Sequence, residues 1–322
     1  MSKEPGFWNR RYWAARAGYF LVRDMNCGQA SLRTVQDRIG KKRDRLLTAA
    51  TGLEGGIVAS GSTCGVVTGG SLGLALALSD AVSDRGPAGE VAALSLVSEY
   101  ASWFAAEYGN TACRKRVGVN FRTARGQVRY FLGPDKIALC VSHIGGAVNR
   151  LDELCRRDLP PPPPEAAAAK DSRIHCARAV LSEVRKRTGV SDPLLSQLSY
   201  VYDGGVGLSG GACGALVGAI LAINLLLGMD IRNVPYLMTF KPFLVGHKNV
   251  LTEAPPNPPE PFGVGRIVMN RFRESAGYTE CRPIVGRNFS SWADFAAHRL
   301  SGKCDAMVAA ASDAACDAIG AI

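Results

Sequence analysis

Apolar positions along this chain recur at helical spacing, and the apolar/polar alternation that marks half-buried strands is scarce. Leu32, Val35 and Ile39 share one helical face, and Val180, Leu181, Val184 and Thr188 share another of the same form. Leu94 to Tyr108 and Cys304 to Ile319 read as helices, the latter rich in alanine, the best helix former. Ala212 to Met229 is almost wholly apolar but carries three glycines and an asparagine. It falls short of the roughly 18 to 20 uninterrupted apolar residues of a membrane span, so it is expected to be a buried core helix. The pattern predicts an all-α architecture, with Val128 to Leu132 as the candidate strand.

The helical pattern occurs twice. Cys27 is followed by Cys64 after 37 positions, and Cys176 by Cys213 after the same 37. Between them Ala30, Leu32, Val35 and Gly40 match Ala179, Leu181, Val184 and Gly189, and Gly55, Gly56, Ser60 and Gly61 match Gly204, Gly205, Ser209 and Gly210. Gly65, Gly69, Leu72 and Leu76 then match Gly214, Gly218, Leu221 and Leu225. Phe104, Gly109, Thr111, Cys113, Arg114, Val117 and Gly118 return as Phe272, Gly277, Thr279, Cys281, Arg282, Val285 and Gly286, after 19 additional residues in the second copy. That insertion, near 230–262, contains Pro255-Pro256-Asn257-Pro258-Pro259-Glu260-Pro261 and is expected to be a surface loop. Each copy closes with two more cysteines, Cys140 and Cys155 against Cys304 and Cys316.

These matches divide the chain into a first module with an N-terminal extension (1–158), a Pro/Ala-rich linker (159–171) and a second module (172–322). Five consecutive prolines, Pro160 to Pro164, span only about 15 Å as polyproline. The modules are therefore expected to form an intramolecular pseudo-dimer with pseudo-two-fold symmetry, with further oligomerisation left open. The N-terminal aromatic and arginine segment, Phe7 to Tyr12 and onward, is read as a helix packed across the other module.

A chain of 322 residues and 47% hydrophobic content is long enough for two cores. Residues 1–25 combine five Lys or Arg side chains with neither an apolar h-region nor a cleavage site, so a cytoplasmic location is expected. Ten cysteines in a reducing compartment point to metal or redox chemistry rather than a disulfide framework. The net charge of +10 suits an acidic electron-carrier protein as partner, but its dispersion and the lack of a motif argue against nucleic acid. No P-loop, Ser-His-Asp signature or paired catalytic carboxylates stand out, and whether any substrate is turned over stays open.

The segments Gly61-Ser-Thr-Cys64-Gly65-Val-Val-Thr-Gly69 and Gly210-Gly211-Ala-Cys213-Gly214-Ala-Leu-Val-Gly218, each with one earlier and two later cysteines, resemble the signature of the C-GCAxxG-C-C family of redox proteins. Each copy has glycine where the signature has alanine after the cysteine, and one extra residue before the next glycine. The resemblance implies a helical domain. A relative, split-Soret cytochrome c, is similar in placing four such cysteines around an iron–sulfur cluster as well as binding haem. By that resemblance Cys27, Cys64, Cys113 and Cys140 would ligate one cluster, expected as [2Fe-2S], and Cys176, Cys213, Cys281 and Cys304 a second.

A c-type haem is not expected, because no Cys-x-x-Cys-His run occurs. Gly61, Gly65, Gly210, Gly211 and Gly214 are candidates for approaching the cofactor, since unhindered backbone amides at a helix start favour a negative cluster. His143 and His175 have no counterpart in the other copy and are read as ordinary side chains, and Cys155 and Cys316 as inert or accessory. Two further readings stay open. One is thiol–disulfide exchange, with the helix-start thiols Cys64 and Cys213 as attacking groups. The other is structural zinc held by four thiolates.

Overall fold

The structure is a computed structural model that describes residues 7–163 and 174–322. Sixteen α-helices and no β-strand occur among them. The first module comprises α1 (Phe7–Asp24), α2 (Cys27–Ile39), α3 (Asp44–Ala49), α4 (Gly65–Arg85), α5 (Pro87–Tyr108), α6 (Cys113–Val117), α7 (Ala124–Phe131) and α8 (Pro134–Cys155). The second comprises α9 (Cys176–Thr188), α10 (Pro193–Leu198), α11 (Gly214–Leu227), α12 (Tyr236–Asn249), α13 (Pro261–Ala276), α14 (Cys281–Val285), α15 (Trp292–Leu300) and α16 (Asp305–Gly320). In sequence register α9, α10, α11, α13, α14, α15 and α16 repeat α2 to α8, while α1 and α12 belong to one copy each.

Much of the recurring glycine is helix punctuation. Gly40 and Gly189 end α2 and α9 at φ of 72° and 78°, a left-handed conformation that only glycine adopts without strain. Asn26 starts α2 by accepting the Gln29 amide at 2.9 Å.

The two modules bury one continuous core, and the contacts across it are reciprocal. α3 packs on α11, and their counterparts α10 and α4 pack on each other. A Cβ on Gly265 would lie 2.8 Å from Val58, and one on Gly207, the repeat of Val58, would lie 2.8 Å from Ser98 N, one residue past the repeat of Gly265. On the axis itself the Ala212 amide donates to the hydroxyl of its own counterpart, Thr63, at 2.8 Å. Such exchange of partners defines a two-fold interface. Tandem duplication and pseudo-two-fold packing are thus both present.

Within each module the central helix approaches its neighbour without side chains between them. A Cβ on Gly69 would overlap the Gly28 carbonyl oxygen, and one on Gly218 would lie 2.8 Å from Ala177 O. Gly69→Ala is therefore expected to push α4 from α2 and lower unfolding free energy by about 1–3 kcal/mol. Chemical denaturation checks it, and an unchanged midpoint would mean that the approach is softer than drawn.

Three expectations are corrected. Val128 to Leu132 is no strand, because the Thr123 side chain caps the Gly126 amide at 3.1 Å and starts α7, leaving Val128 and Leu132 exposed. The insertion is not all loop. α12 forms within it and seats Phe243 and His247 in the interior, while 251–260 remain irregular. α1 packs mainly on α8 and α2 of its own module and meets the second at α12 and at Val234, whose carbonyl accepts from Arg23 at 3.3 Å. α4 is long and apolar enough to cross a membrane by length and composition, but 78% of that span is buried in the core. The linker begins with Leu159 and Pro160, whose carbonyls each accept from Arg85 at 3.0 Å, while 164–171 fall outside the described residues.

Candidate functional site

Three of the four thiols in the first module stand at helix starts: Cys27 opens α2, Cys64 caps α4 and Cys113 opens α6. In the second module all four do, with Cys176 opening α9, Cys213 capping α11, Cys281 opening α14 and Cys304 capping α16. Helix N-termini carry partial positive charge and unpaired amides, which favour thiolates and other anions. The backbone amide of Val66 helps lower the Cys64 thiol, and those of Leu216 and Ala215 act in the same direction on Cys213.

The same local geometry pairs two cysteines in each copy. The Cys64 amide donates to Thr111 O at 2.8 Å and the Cys113 amide to Ser62 O at 2.7 Å, around the isolated bridge Thr63–Ala112. In the second copy the Cys213 amide donates to Thr279 O at 2.9 Å and the Cys281 amide to Gly211 O at 2.7 Å, around Ala212–Glu280. The chain reaches these bridges through a left-handed turn, with positive φ at every residue from Gly55 to Ala59 and from Gly204 to Leu208. Non-glycine residues pay about 1–2 kcal/mol each for that conformation, so the surrounding core must hold the turn in place.

Cys27, Cys113 and Cys140 line a cavity of about 100 Å³ together with Glu54, Arg116, Phe121 and Tyr130. Cys64 joins them through a hydrogen bond with Cys27 and another from Arg116 Nη2 at 3.0 Å. Cys140 lies one and a half turns inside α8, away from any helix start, and takes its donors from Tyr130 and Arg116 instead. Cys176, Cys213, Cys281 and Cys304 line a void of about 10 Å³ walled by Phe289, Phe295, Met307 and Val308, room for about one water. Thus each predicted set of four cysteines is brought together. Gly65 and Gly214 stand beside them, and a Cβ on Gly65 would lie 2.5 Å from Cys27 Sγ. Gly61, Gly210 and Gly211 instead face a groove between the modules. Cys155 and Cys316 line neither thiol cavity.

Electrostatics separate the two sites. The hydrogen bond from Cys27 pulls the Cys64 thiol well below the ordinary range, aided by Arg116 against the cost of burial, and the same bond with burial pushes Cys27 up. Burial raises Cys113, Cys140, Cys176, Cys281 and Cys304, and raises Cys213 to about 11. Glu54 is driven to about 8 by burial and then by Cys64, so it is largely protonated at neutral pH; its buried Oε2 makes no hydrogen bond, with His247 Nε2 3.6 Å away. Its counterpart Asp203 instead accepts the Cys176 amide at 3.0 Å and His175 Nδ1 at 2.6 Å.

Sequence reasoning missed Arg116, Glu54 and Tyr130. Arg116 had one faint signal, the basic run Arg114-Lys115-Arg116 directly after Cys113, but Ile284 stands at its position in the second copy. His143, read as an ordinary residue, stacks on Tyr108 at 3.9 Å and takes a hydrogen bond from Arg116, holding it toward the thiols. His175 caps α9 inside an ion network with Asp203 and Glu90.

Among the described residues no group of three or more His, Cys, Asp or Glu side chains is arranged to hold a single metal ion. In the first module the thiols surround a space instead of converging on a point. Four soft donors, amide donors and one buried guanidinium suit an anionic polynuclear group there. The second module offers the same donor set, but its void must widen to admit one.

The family model described as "Putative redox-active protein (C_GCAxxG_C_C)" matches residues 25–154 and again residues 174–317. Among curated proteins and solved structures nothing matches this chain.

Proposed function

Because the chain belongs to the C_GCAxxG_C_C family of redox-active proteins, which it contains twice, we propose that each module holds an iron–sulfur cluster, of [2Fe-2S] type, and that the protein transfers electrons. The observation that carries this reading is the gathering of the repeated cysteines: Cys27, Cys113 and Cys140 line one space, with Cys64 beside Cys27 and Arg116, and Cys176, Cys213, Cys281 and Cys304 line the other. Cys27, Cys64, Cys113 and Cys140 would hold the first cluster, and Cys176, Cys213, Cys281 and Cys304 the second. When bound, such a group accepts and returns single electrons.

The chain's own residues set the conditions. Helix starts and Arg116 offset the negative charge of four thiolates, and Arg299, buried near Cys176 and Cys304, does so in the second module. Phe289, Phe295 and Met307 exclude water from one site, and Phe121 and Tyr130 from the other. A dry surround with unequal positive charge is expected to give the two sites different potentials, the higher at the Arg116 site. An acidic carrier protein fits the net charge of +10 as electron partner.

Thiol–disulfide exchange is favoured by one observation of its own, the hydrogen-bonded Cys27–Cys64 pair. There the Cys64 thiolate would attack a substrate disulfide and release one substrate thiolate; Cys27, giving up its proton, would then attack Cys64 Sγ of the mixed disulfide and displace the second substrate thiolate, and the two thiolates take up protons. The substrate gains two electrons and the protein keeps a Cys27–Cys64 disulfide. Anaerobic reconstitution with iron and sulfide separates the readings. Visible charge-transfer bands that bleach with dithionite are expected, and a colourless protein would leave thiol exchange or zinc.

A further inference from the structure

A groove of about 490 Å³ opens between the modules where Thr63 meets Ala212, a size typical of small-molecule sites. Residues of both cysteine-flanking bridges, Thr63–Ala112 and Ala212–Glu280, line it. Its walls present Arg114, Lys115, Arg122, Arg273 and Arg282 against one acid, Glu280. Arg114 and Arg282 occupy equivalent repeat positions, so the pseudo-two-fold axis sets one on each side.

The cations lack counter-charges. No carboxylate among the described residues forms an ion pair with any of the five. Arg122 is the most exacting case. Its guanidinium is sunk into the wall and donates only to Asn270 Oδ1 at 3.2 Å and Met269 Sδ at 3.5 Å, while its buried Nε has no partner. Burial lowers it to about 10, and repulsion from Arg273, Arg266 and Arg114 adds to the shift. Arg122 is half-buried, and a partly desolvated charge without a counter-charge beside an open groove is suited to receive an anion there.

We propose that this groove binds a small molecule carrying two or more phosphate groups, seated on Arg122 and bridging Arg114 and Arg282 of the two modules. Planar guanidinium forks match phosphate oxygens, and five cations against one acid call for a multiply charged ligand. The concave shape and the sunken position of Arg122 favour a small molecule over a flat acidic protein surface. A ligand there would touch residues adjoining Cys64, Cys113 and Cys281, placing its charge beside both thiol sites.

Isothermal titration of the full chain with pyrophosphate and with ATP, at fixed ionic strength, tests the site in metal-free and metal-loaded protein alike. Saturable binding is expected, weakened about tenfold or more by Arg122→Gln and by Arg282→Gln, and unchanged by Lys186→Gln on the remote face of α9. Arg282 is exposed and unpaired, so its replacement leaves folding untouched. Absence of binding, binding indifferent to both arginine variants, or binding of polyglutamate but of neither phosphate ligand would overturn the proposal. Equal affinity for succinate would overturn the choice of phosphate.

Discussion

Cys64→Ser is expected to empty the first module and leave the second loaded, so that iron and sulfide per chain fall by about half. Cys64 is the anchor of its site. It caps the central helix α4, pairs with Cys27, takes the Arg116 guanidinium and is tied through backbone hydrogen bonds to the Cys113 segment. A serine hydroxyl fits the space but stays protonated near neutral pH and is a hard, weak donor to iron. Cys213→Ser should do the same to the second module only, and Cys155→Ser should leave metal content unchanged, since Cys155 stands outside both cavities. Loss of all iron from either single variant would mean that the modules do not load independently.

Arg116→Met is expected to move the pH profile of Cys64 alkylation by iodoacetamide up by about one unit in metal-free protein, slowing the reaction several-fold near pH 5. The thiolate is the reacting form, and Cys64 is held below the ordinary thiol range first by the Cys27 hydrogen bond and then by Arg116. Removing the guanidinium raises the folded-state pKa, so the thiolate fraction at mildly acidic pH falls and the rate profile moves to higher pH. The Cys27 bond persists, which makes the loss partial. A folded pKa below the unfolded one also stabilises the protein above the unfolded thiol's pKa, and that contribution is lost as pH falls through the folded value. Mass spectrometry of the Cys64 peptide over a pH series reads the shift, and an unmoved profile would show that Arg116 does not act on this thiol.

The duplication and the helical class were legible because both are local. Apolar positions at helical period mark faces, and glycines such as Gly40 and Gly189 recur because left-handed helix ends require them. The cysteine sets were legible because they recur in order. What escaped depends on the third dimension. Arg116 approaches Cys64 across 52 positions of chain, and nothing in its segment marks it as different from Arg114 or Lys115 beside it. Glu54 matters through burial, which composition does not display. α12 hid in a segment whose prolines, including Pro242 within the helix, suggested loop throughout. The groove cations lie far apart in sequence, and only the two-fold packing gathers them.

Glu54 adds a chemical difference between the copies. A protonated acid near neutral pH lines the first thiol cavity, whereas Asp203 is committed to the Cys176 amide and His175 in the second. The duplicated sites are therefore equal in cysteines and unequal in surroundings.

The most direct test of cluster binding is the content of iron, acid-labile sulfide and zinc in anaerobically purified protein, assayed on one sample. About two irons and two sulfides per module, with zinc near zero, is the expected result. Protein that stays free of iron and sulfide after anaerobic reconstitution, or that holds one zinc per module, would contradict it.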